Sequence, residues 1–138
     1  MVALAAGGGT GPVSAVCLFT LAGALLASLP GDTITLSWTH SVEKTEWREV
    51  WRAEDGRMIP VEARIKGFGA GMEPPPEALL SGGWLVWRPA APPSGRLVLA
   101  ASSFTPDHTL CVSGHCRPLH GWAGGGDGGP VVIGACAP

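Results

Sequence analysis

Charged side chains that could bind ligands or transfer protons are concentrated in one part of the chain. Between residues 43 and 66 lie six acidic and six basic residues, although only 14% of the whole sequence is charged. The two signs alternate closely. This is typical of a solvated strand face with ion pairs, each contributing roughly 0–1 kcal/mol. The same concentration of charge also fits a surface that binds a polar ligand or a partner.

A binding surface is predicted where these strands end. Glu43 and Lys44 follow a strand pattern, and Arg64 lies on a neighbouring strand. Lys44 and Arg64 would hold a carboxylate through charge-assisted hydrogen bonds. With Glu49 and Glu62 the same residues would form a cross-strand ionic cluster, and for that cluster taken by itself the sequence favours a structural role over carboxylate binding.

The segment "GFGAGMEPPP", which begins at Gly67, has only a superficial likeness to a phosphate-binding loop. Its glycines follow GxGxG spacing, and three prolines at 74–76 prevent the helix whose N-terminus would hold a phosphate. We therefore expect no nucleotide or other cofactor. The glycines fit a sharp exit from the preceding strand, with Phe68 as an anchor beside a pocket. The predicted binding residues are His40, Glu43, Lys44, Arg64, Phe68, Gly69 and Gly71.

An enzyme would need an acid, a base or a nucleophile to converge in a cleft. The residues available for such a site are His40, Glu43, Glu49 and Glu62. His40 is in phase with apolar residues of its strand, which favours a core histidine over a general base. Ser41 cannot pair with His40, because strand neighbours point to opposite faces. We expect a non-enzymatic protein, with a small enzyme or metal-binding protein at these four residues as the alternative.

The four cysteines form an even set that suits disulfides. Cys111 and Cys116 bracket four residues that contain a Ser-Gly turn signal, so they would face each other across a short hairpin. A facing pair of this kind favours a disulfide in an oxidising compartment. Cys17 and Cys136 are then the remaining pair, and the sequence leaves open whether they are joined.

Zinc binding is the alternative interpretation of the cysteine- and histidine-containing segment at 108–120. Its ligands would come from His108, Cys111, His115, Cys116 and His120. Four of them would have to converge tetrahedrally, which strand alternation opposes.

The elements that must position these residues are short strands. "DTITLSWTHSV" alternates cleanly, with Ile34, Leu36 and Trp38 on one face. "EWREVWRA" and "RMIPVEARIKG" form a hairpin around Asp55-Gly56, and alternation puts Ile59, Val61, Ala63 and Ile65 of the second strand on one face. Further strands are predicted at 83–88, 96–101, 108–112, 115–119 and 131–135. The Pro- and Gly-rich segments, including "EPPPEALLSGG", are predicted to be connections, and no helix is expected.

The N-terminal third contains an apolar run, "VSAVCLFTLAGALLASL", that could be a targeting segment or a hairpin. No basic residue precedes it, its length is short for a membrane span, and "LASLP" is a poor cleavage site. We therefore favour a hairpin with strands at 14–20 and 24–29. A membrane association would be peripheral at most.

Length and composition indicate one all-β domain. A chain of 138 residues with 46% apolar content can bury a single core. About ten short strands predict an antiparallel β-sandwich or a partly open barrel over residues 13–138, after a flexible tail at 1–12. The net charge of −2 gives no basic field, so nucleic acid is not an expected partner.

Three motifs resemble a known family. "WTHSVEKTEW", "EARIKGFGAGMEPPPEA" and "TLCVSGHCRPL", followed by Cys136, are similar in order and spacing to the bacterial family called domain of unknown function eighteen-fifty. The resemblance covers about residues 16–136. Its matching positions are Thr39, His40, Ser41, Val42, Glu43, Lys44, Arg64, Phe68, Gly69, Ala70, Gly71 and, in the subgroup with cysteines, Cys111, Cys116 and Arg117.

The resemblance implies a role beside a transporter. Family members are often encoded next to membrane permeases of TAXI-type TRAP transporters. We therefore expect an accessory or binding module that presents its polar rim to a permease, a solute receptor or a small carboxylate. The family context and the paired cysteines favour the periplasm.

Overall fold

The computed structural model describes residues 14–39, 45–67, 75–90, 93, 95–99, 107–124 and 129–137. The tail predicted at residues 1–12 lies outside these residues. The strands within them are β1 (Ala15–Phe19), β2 (Leu25–Leu29), β3 (Thr33–Thr39), β4 (Glu46–Glu54), β5 (Arg57–Lys66), β6 (Leu79–Ser81), β7 (Trp84–Trp87), β8 (Arg96–Leu99), β9 (Thr109–Val112), β10 (His115–Pro118) and β11 (Val131–Cys136). One short helix, α1 (Leu119–Trp122), follows β10.

The strands form two antiparallel sheets. The smaller has four strands in the order β2-β1-β11-β8, and the larger has seven in the order β10-β9-β3-β4-β5-β7-β6. Apolar side chains from both sheets share one core, including Val16 and Ile133 of the smaller sheet and Ile34 and Leu110 of the larger. This arrangement confirms the predicted all-β sandwich, and among the described strands the two sheets are separate.

Three two-residue turns set the register of the larger sheet. Asp55-Gly56, Gly82-Gly83 and Ser113-Gly114 all have positive φ angles, between 50° and 86°. Positive φ at both central residues is typical of the tight turns that match the twist of paired strands. The turns at 55–56 and 113–114 confirm the predicted hairpins, and the glycine pair at 82–83 joins β6 to β7.

The apolar N-terminal run forms the hairpin predicted for it. β1 pairs with β2 on one side and with β11 on the other, so β1 is an interior strand of the smaller sheet and β2 is at its edge. Both cysteine pairs are joined: Cys111 to Cys116, as predicted, and Cys17 to Cys136, which the sequence had left open.

Two predictions about the chain's elements were wrong. α1 begins at Leu119, which had been predicted to be the last residue of a strand at 115–119. The strand ends earlier because the Leu119 side chain turns inward and is buried in the core. β6 forms within "EPPPEALLSGG", which had been predicted to be a connection. The Gly82-Gly83 turn folds these residues back onto β7, so they pair as a strand although the segment is rich in proline and glycine.

The part of the chain that the structure describes contains no helix with the length and apolar character of a membrane span.

The predicted faces of β5 were also wrong in its first half. Val50 pairs with Glu62 and Trp51 with Pro60, so Val61 is an extra residue in a β-bulge. The bulge shifts the alternation by one position. Met58 and Pro60 are therefore buried on the same strand as Ala63 and Ile65, and Ile59 and Val61 are only partly buried.

Candidate anion-binding site

The predicted binding residues divide into two groups. Arg64 is described by the structure, and the others, His40, Glu43, Lys44, Phe68, Gly69 and Gly71, lie outside the described residues. Their roles stay predictions. The strands connected to them do end together: Thr39 pairs with Glu46 at the end of β3 and β4, and Ile65 of β5 pairs with Trp47, beside Glu46.

Arg64 belongs to a group of cations around one indole ring. The guanidinium carbon of Arg48 lies 4.6 Å from the ring centroid of Trp84, and that of Arg64 lies 5.7 Å from it. Lys66 Nζ lies 5.0 Å from the same centroid. All three distances are within the range where a cation is attracted to the electron-rich ring face. We call Arg48, Arg64, Lys66 and Trp84 the cation–Trp84 cluster.

Strand register brings the cluster together. Arg48 of β4 is directly opposite Arg64 of β5, and Lys66 of β5 is directly opposite Trp84 of β7. Opposite residues in an antiparallel ladder share a face, so the four side chains lie on one face of three adjacent strands. Buried Ala63 and Ile65 alternate with Arg64 and Lys66, which identifies this as the outer face of the sheet.

The cluster carries more positive than negative charge. Glu46 pairs with Arg48 at 2.8 Å, and Glu62 pairs with Arg64 at 2.8 Å. Within the described residues Lys66 forms no ion pair. The paired side chains are 31–44% exposed, so each pair is expected to contribute less than about 1 kcal/mol. Because like charges directly opposite each other destabilise a sheet, a bound anion would relieve the repulsion between Arg48 and Arg64.

The cross-strand ionic cluster expected from the sequence includes Glu43 and Lys44, which lie outside the described residues, so its formation stays a prediction. The Arg–Glu ion pairs of β4 and β5 that the structure describes run along single strands, between residues two positions apart, and the third of them joins Arg52 to Glu54 at 3.1 Å. Glu49 is on the inner face with Ala63, and its carboxylate accepts a hydrogen bond of 3.0 Å from the indole nitrogen of Trp51. Neighbouring strand residues alternate between faces, which separates Glu49 from the arginines of its own strand.

Glu49 and Glu62, two of the four residues of the enzyme alternative, border one small cavity. Its volume is about 80 Å³, and Trp51, Pro60 and Pro89 complete its lining. Each carboxylate already accepts a hydrogen bond from a side chain two positions away, Trp51 for Glu49 and Arg64 for Glu62. Their partners His40 and Glu43 lie outside the described residues, so convergence of the four remains a prediction.

A second aromatic group lies at the same end of the sheet, on its inner face. Trp38 stacks on Trp47 with ring centroids 6.0 Å apart, and His108 lies 5.2 Å from Trp38. Burial lowers the pKa of His108 below its ordinary value of 6.5, and the charges of Asp107 and Glu49 partly oppose this shift. At neutral pH the His108 side chain is therefore uncharged, and it packs against Trp38 as an aromatic ring.

Three of the five residues weighed as zinc ligands have other partners. Cys111 and Cys116 are joined in a disulfide, so neither is a thiolate. His120 Nδ1 lies 3.1 Å from Asp107 Oδ1, and its Nε2 lies 2.8 Å from the backbone oxygen of Gly129. These contacts tie α1 to the segments that precede β9 and β11.

The fold and the cluster together define a small β-sandwich with a cationic, aromatic patch on its larger sheet. The chain belongs to the family Domain of unknown function (DUF1850), whose family model matches residues 34–119. That match spans almost the whole seven-stranded sheet, including every residue of the cation–Trp84 cluster. Neither the curated proteins nor the solved structures give a match.

Trp84 and Arg48 were missed by sequence reasoning. Alternation places Arg48, Arg64 and Lys66 on outward positions, but it does not show which strand lies beside β5. The sequence signal that could have revealed this placement is the glycine pair at 82–83. It allows β6 and β7 to form a hairpin whose second strand begins at Trp84.

Proposed function

We propose that the protein is a non-enzymatic binding module whose cation–Trp84 cluster holds a carboxylate. The observation that carries the proposal is the placement of Arg48 directly opposite Arg64, with Lys66 and the Trp84 ring beside them. Guanidinium groups offer paired donors that match a carboxylate, and the indole gives such a ligand an apolar surface on which to rest.

The carboxylate belongs either to a small organic acid or to an acidic side chain of a partner protein. The family context supports a partner from a TAXI-type TRAP transporter, either a permease or a solute receptor. In that role the polar outer face acts as an accessory docking or retention surface. The enzyme alternative is less well supported, because Glu49 and Glu62 each accept a hydrogen bond from a neighbour on the same strand.

The proposal is tested by titrating the protein with succinate and citrate, and with succinamide as an uncharged comparison. We expect the two acids, but not the amide, to shift the NMR signal of the Trp84 indole N–H. Arg64→Gln should weaken acid binding by roughly tenfold or more, because hydrogen bonds to charged groups contribute about 1.5–3 kcal/mol. Binding should also weaken as salt is added.

Arg52→Gln is the matched control. Arg52 lies on the same outward face of β4 and pairs with Glu54, but it does not contact Trp84. It should leave binding unchanged. In a second arm, the protein is co-expressed with a TAXI-type permease or receptor, and capture of that partner by wild type and by Arg64→Gln is compared. Absence of both acid binding and partner capture, or equal losses for the two variants, would contradict the proposal.

A further inference from the structure

The two disulfides occupy very different positions. Cys17–Cys136 joins the first and last strands of the smaller sheet across 119 residues of sequence, and Cys17 is only 3% exposed. Cys111–Cys116 joins two adjacent strands across five residues. Cys116 is exposed, and Cys111 is partly buried. In the first bridge Cys136 is partly buried, like Cys111, so Cys116 is the one exposed cysteine of the four. Since thiol–disulfide exchange requires a thiolate to reach a sulfur atom, the second bridge is the more accessible of the two.

The fold does not need the second bridge to keep its core. Leu110 and Val112 hold β9 in the core at 0% and 2% exposure, and β9 also pairs with β3. β10, by contrast, is exposed at all four residues. It is an edge strand that pairs with β9 alone among the described strands. Opening the bridge would therefore remove a constraint on β10 without exposing a buried side chain.

The surroundings of the bridge leave room for a thiol donor. A groove of about 440 Å³ runs beside Cys111 and is bordered by the Ser113-Gly114 turn and by Thr33 and Thr35 of β3. Thr35 is directly opposite Cys111 in the ladder, so the bridge lies on the outer, polar face of the sheet. The groove opens the Cys111 side of the bridge, and Cys116 on the edge strand is itself exposed, so a donor can reach the bridge without any unfolding.

From these observations we propose that Cys111–Cys116 is a site of reversible thiol–disulfide exchange that controls the edge strand β10, and that its reaction partner is a thiol or dithiol reductant. The thiolate of the donor attacks the exposed Cys116 sulfur, forms a mixed disulfide with it and displaces Cys111 as a thiolate. A second donor thiolate attacks the donor sulfur of that mixed disulfide and releases Cys116. The bridge gains two electrons, and two donor thiols become one disulfide.

The experiment exposes the folded protein to increasing glutathione in non-denaturing buffer, stops the reaction with an alkylating reagent and identifies the modified cysteines by peptide mass spectrometry. We expect Cys111–Cys116 to open at least about tenfold faster than Cys17–Cys136, since exposed bridges are the labile ones. The glutathione adduct should be found on Cys116 and free Cys111 should be alkylated. Hydrogen exchange should increase in β10 and stay slow in β3 and β11.

Two double variants make the assignment decisive. Cys111→Ser/Cys116→Ser should keep the circular dichroism spectrum and cooperative melting of wild type, and should show the rapid β10 exchange without any reductant. Cys17→Ser/Cys136→Ser should retain the fast reaction with glutathione. The proposal is overturned if both bridges open at the same rate, if Cys17–Cys136 opens first, or if opening Cys111–Cys116 unfolds the whole protein.

Discussion

Single side chains in this protein acquire their properties from the face of the sheet on which they lie. Arg48 and Glu49 are adjacent in sequence, yet Arg48 contacts the partly buried Trp84 ring on the outer face and Glu49 accepts a hydrogen bond from Trp51 on the inner face. Strand geometry separates them because successive side chains point to opposite sides. The same rule places His108 in a half-buried position against Trp38, where the neutral ring is favoured.

The lowered pKa of His108 predicts a loss of stability in acid. Because the folded pKa lies below the unfolded value of 6.5, the unfolded chain binds a proton more readily than the folded one. This contribution to stability is present above pH 6.5 and is lost as pH falls through the folded pKa. His108→Phe keeps an aromatic ring against Trp38 and cannot be protonated. Urea unfolding between pH 7.5 and pH 5 should therefore show a smaller acid-induced decrease for the variant than for wild type.

His115→Gln provides the comparison for this measurement. His115 is exposed on β10, so its replacement leaves the contact between His108 and Trp38 unchanged. The acid-induced decrease due to His108 should persist in this variant. An equal decrease in wild type and in His108→Phe would show that burial of His108 does not contribute to the pH dependence.

At the scale of whole elements, alternation predicted most strands but could not detect where its phase changes. β3 follows a single phase, with Ile34 and Leu36 buried, as predicted. β5 does not, because Val61 is inserted as a bulge, and an apolar residue in that position fits either phase. The position of Trp84 was unpredictable for a related reason: alternation identifies faces, whereas strand order depends on long-range pairing.

The bulge in β5 predicts that one deletion is tolerated and a neighbouring one is not. Without Val61, Met58, Pro60, Ala63 and Ile65 would follow a regular alternation on the inner face. Deleting Val61 should therefore lower the free energy of unfolding by no more than about 1–2 kcal/mol. Deleting Ala63 should be far more damaging, since it would turn the Glu62 carboxylate inward without a partner. Urea unfolding of both variants tests this, and equal destabilisation would contradict the role assigned to Val61.

At the scale of the whole molecule, two sheets of unequal size depend on different restraints. The larger sheet contains three hairpins closed by tight turns, such as Asp55-Gly56 between β4 and β5, together with the long-range pairing of β3 with β9. In the smaller sheet β1 pairs with β11, so residues near opposite ends of the sequence must meet. Closing so long a loop is entropically unfavourable. Cys17–Cys136 forms this closure covalently and thereby restricts the unfolded chain.

Removing Cys17–Cys136 should accordingly destabilise the protein much more than removing Cys111–Cys116. A loop of about 100 residues is worth on the order of 4–5 kcal/mol by chain entropy, and a loop closed across five residues is worth much less. Cys17→Ser/Cys136→Ser should also raise the urea m-value, because the unfolded chain is released to expand and expose more surface. Urea unfolding of both double variants against wild type measures both quantities. Similar losses of stability with an unchanged m-value would mean that pairing of β1 with β11, rather than the covalent link, holds the smaller sheet together.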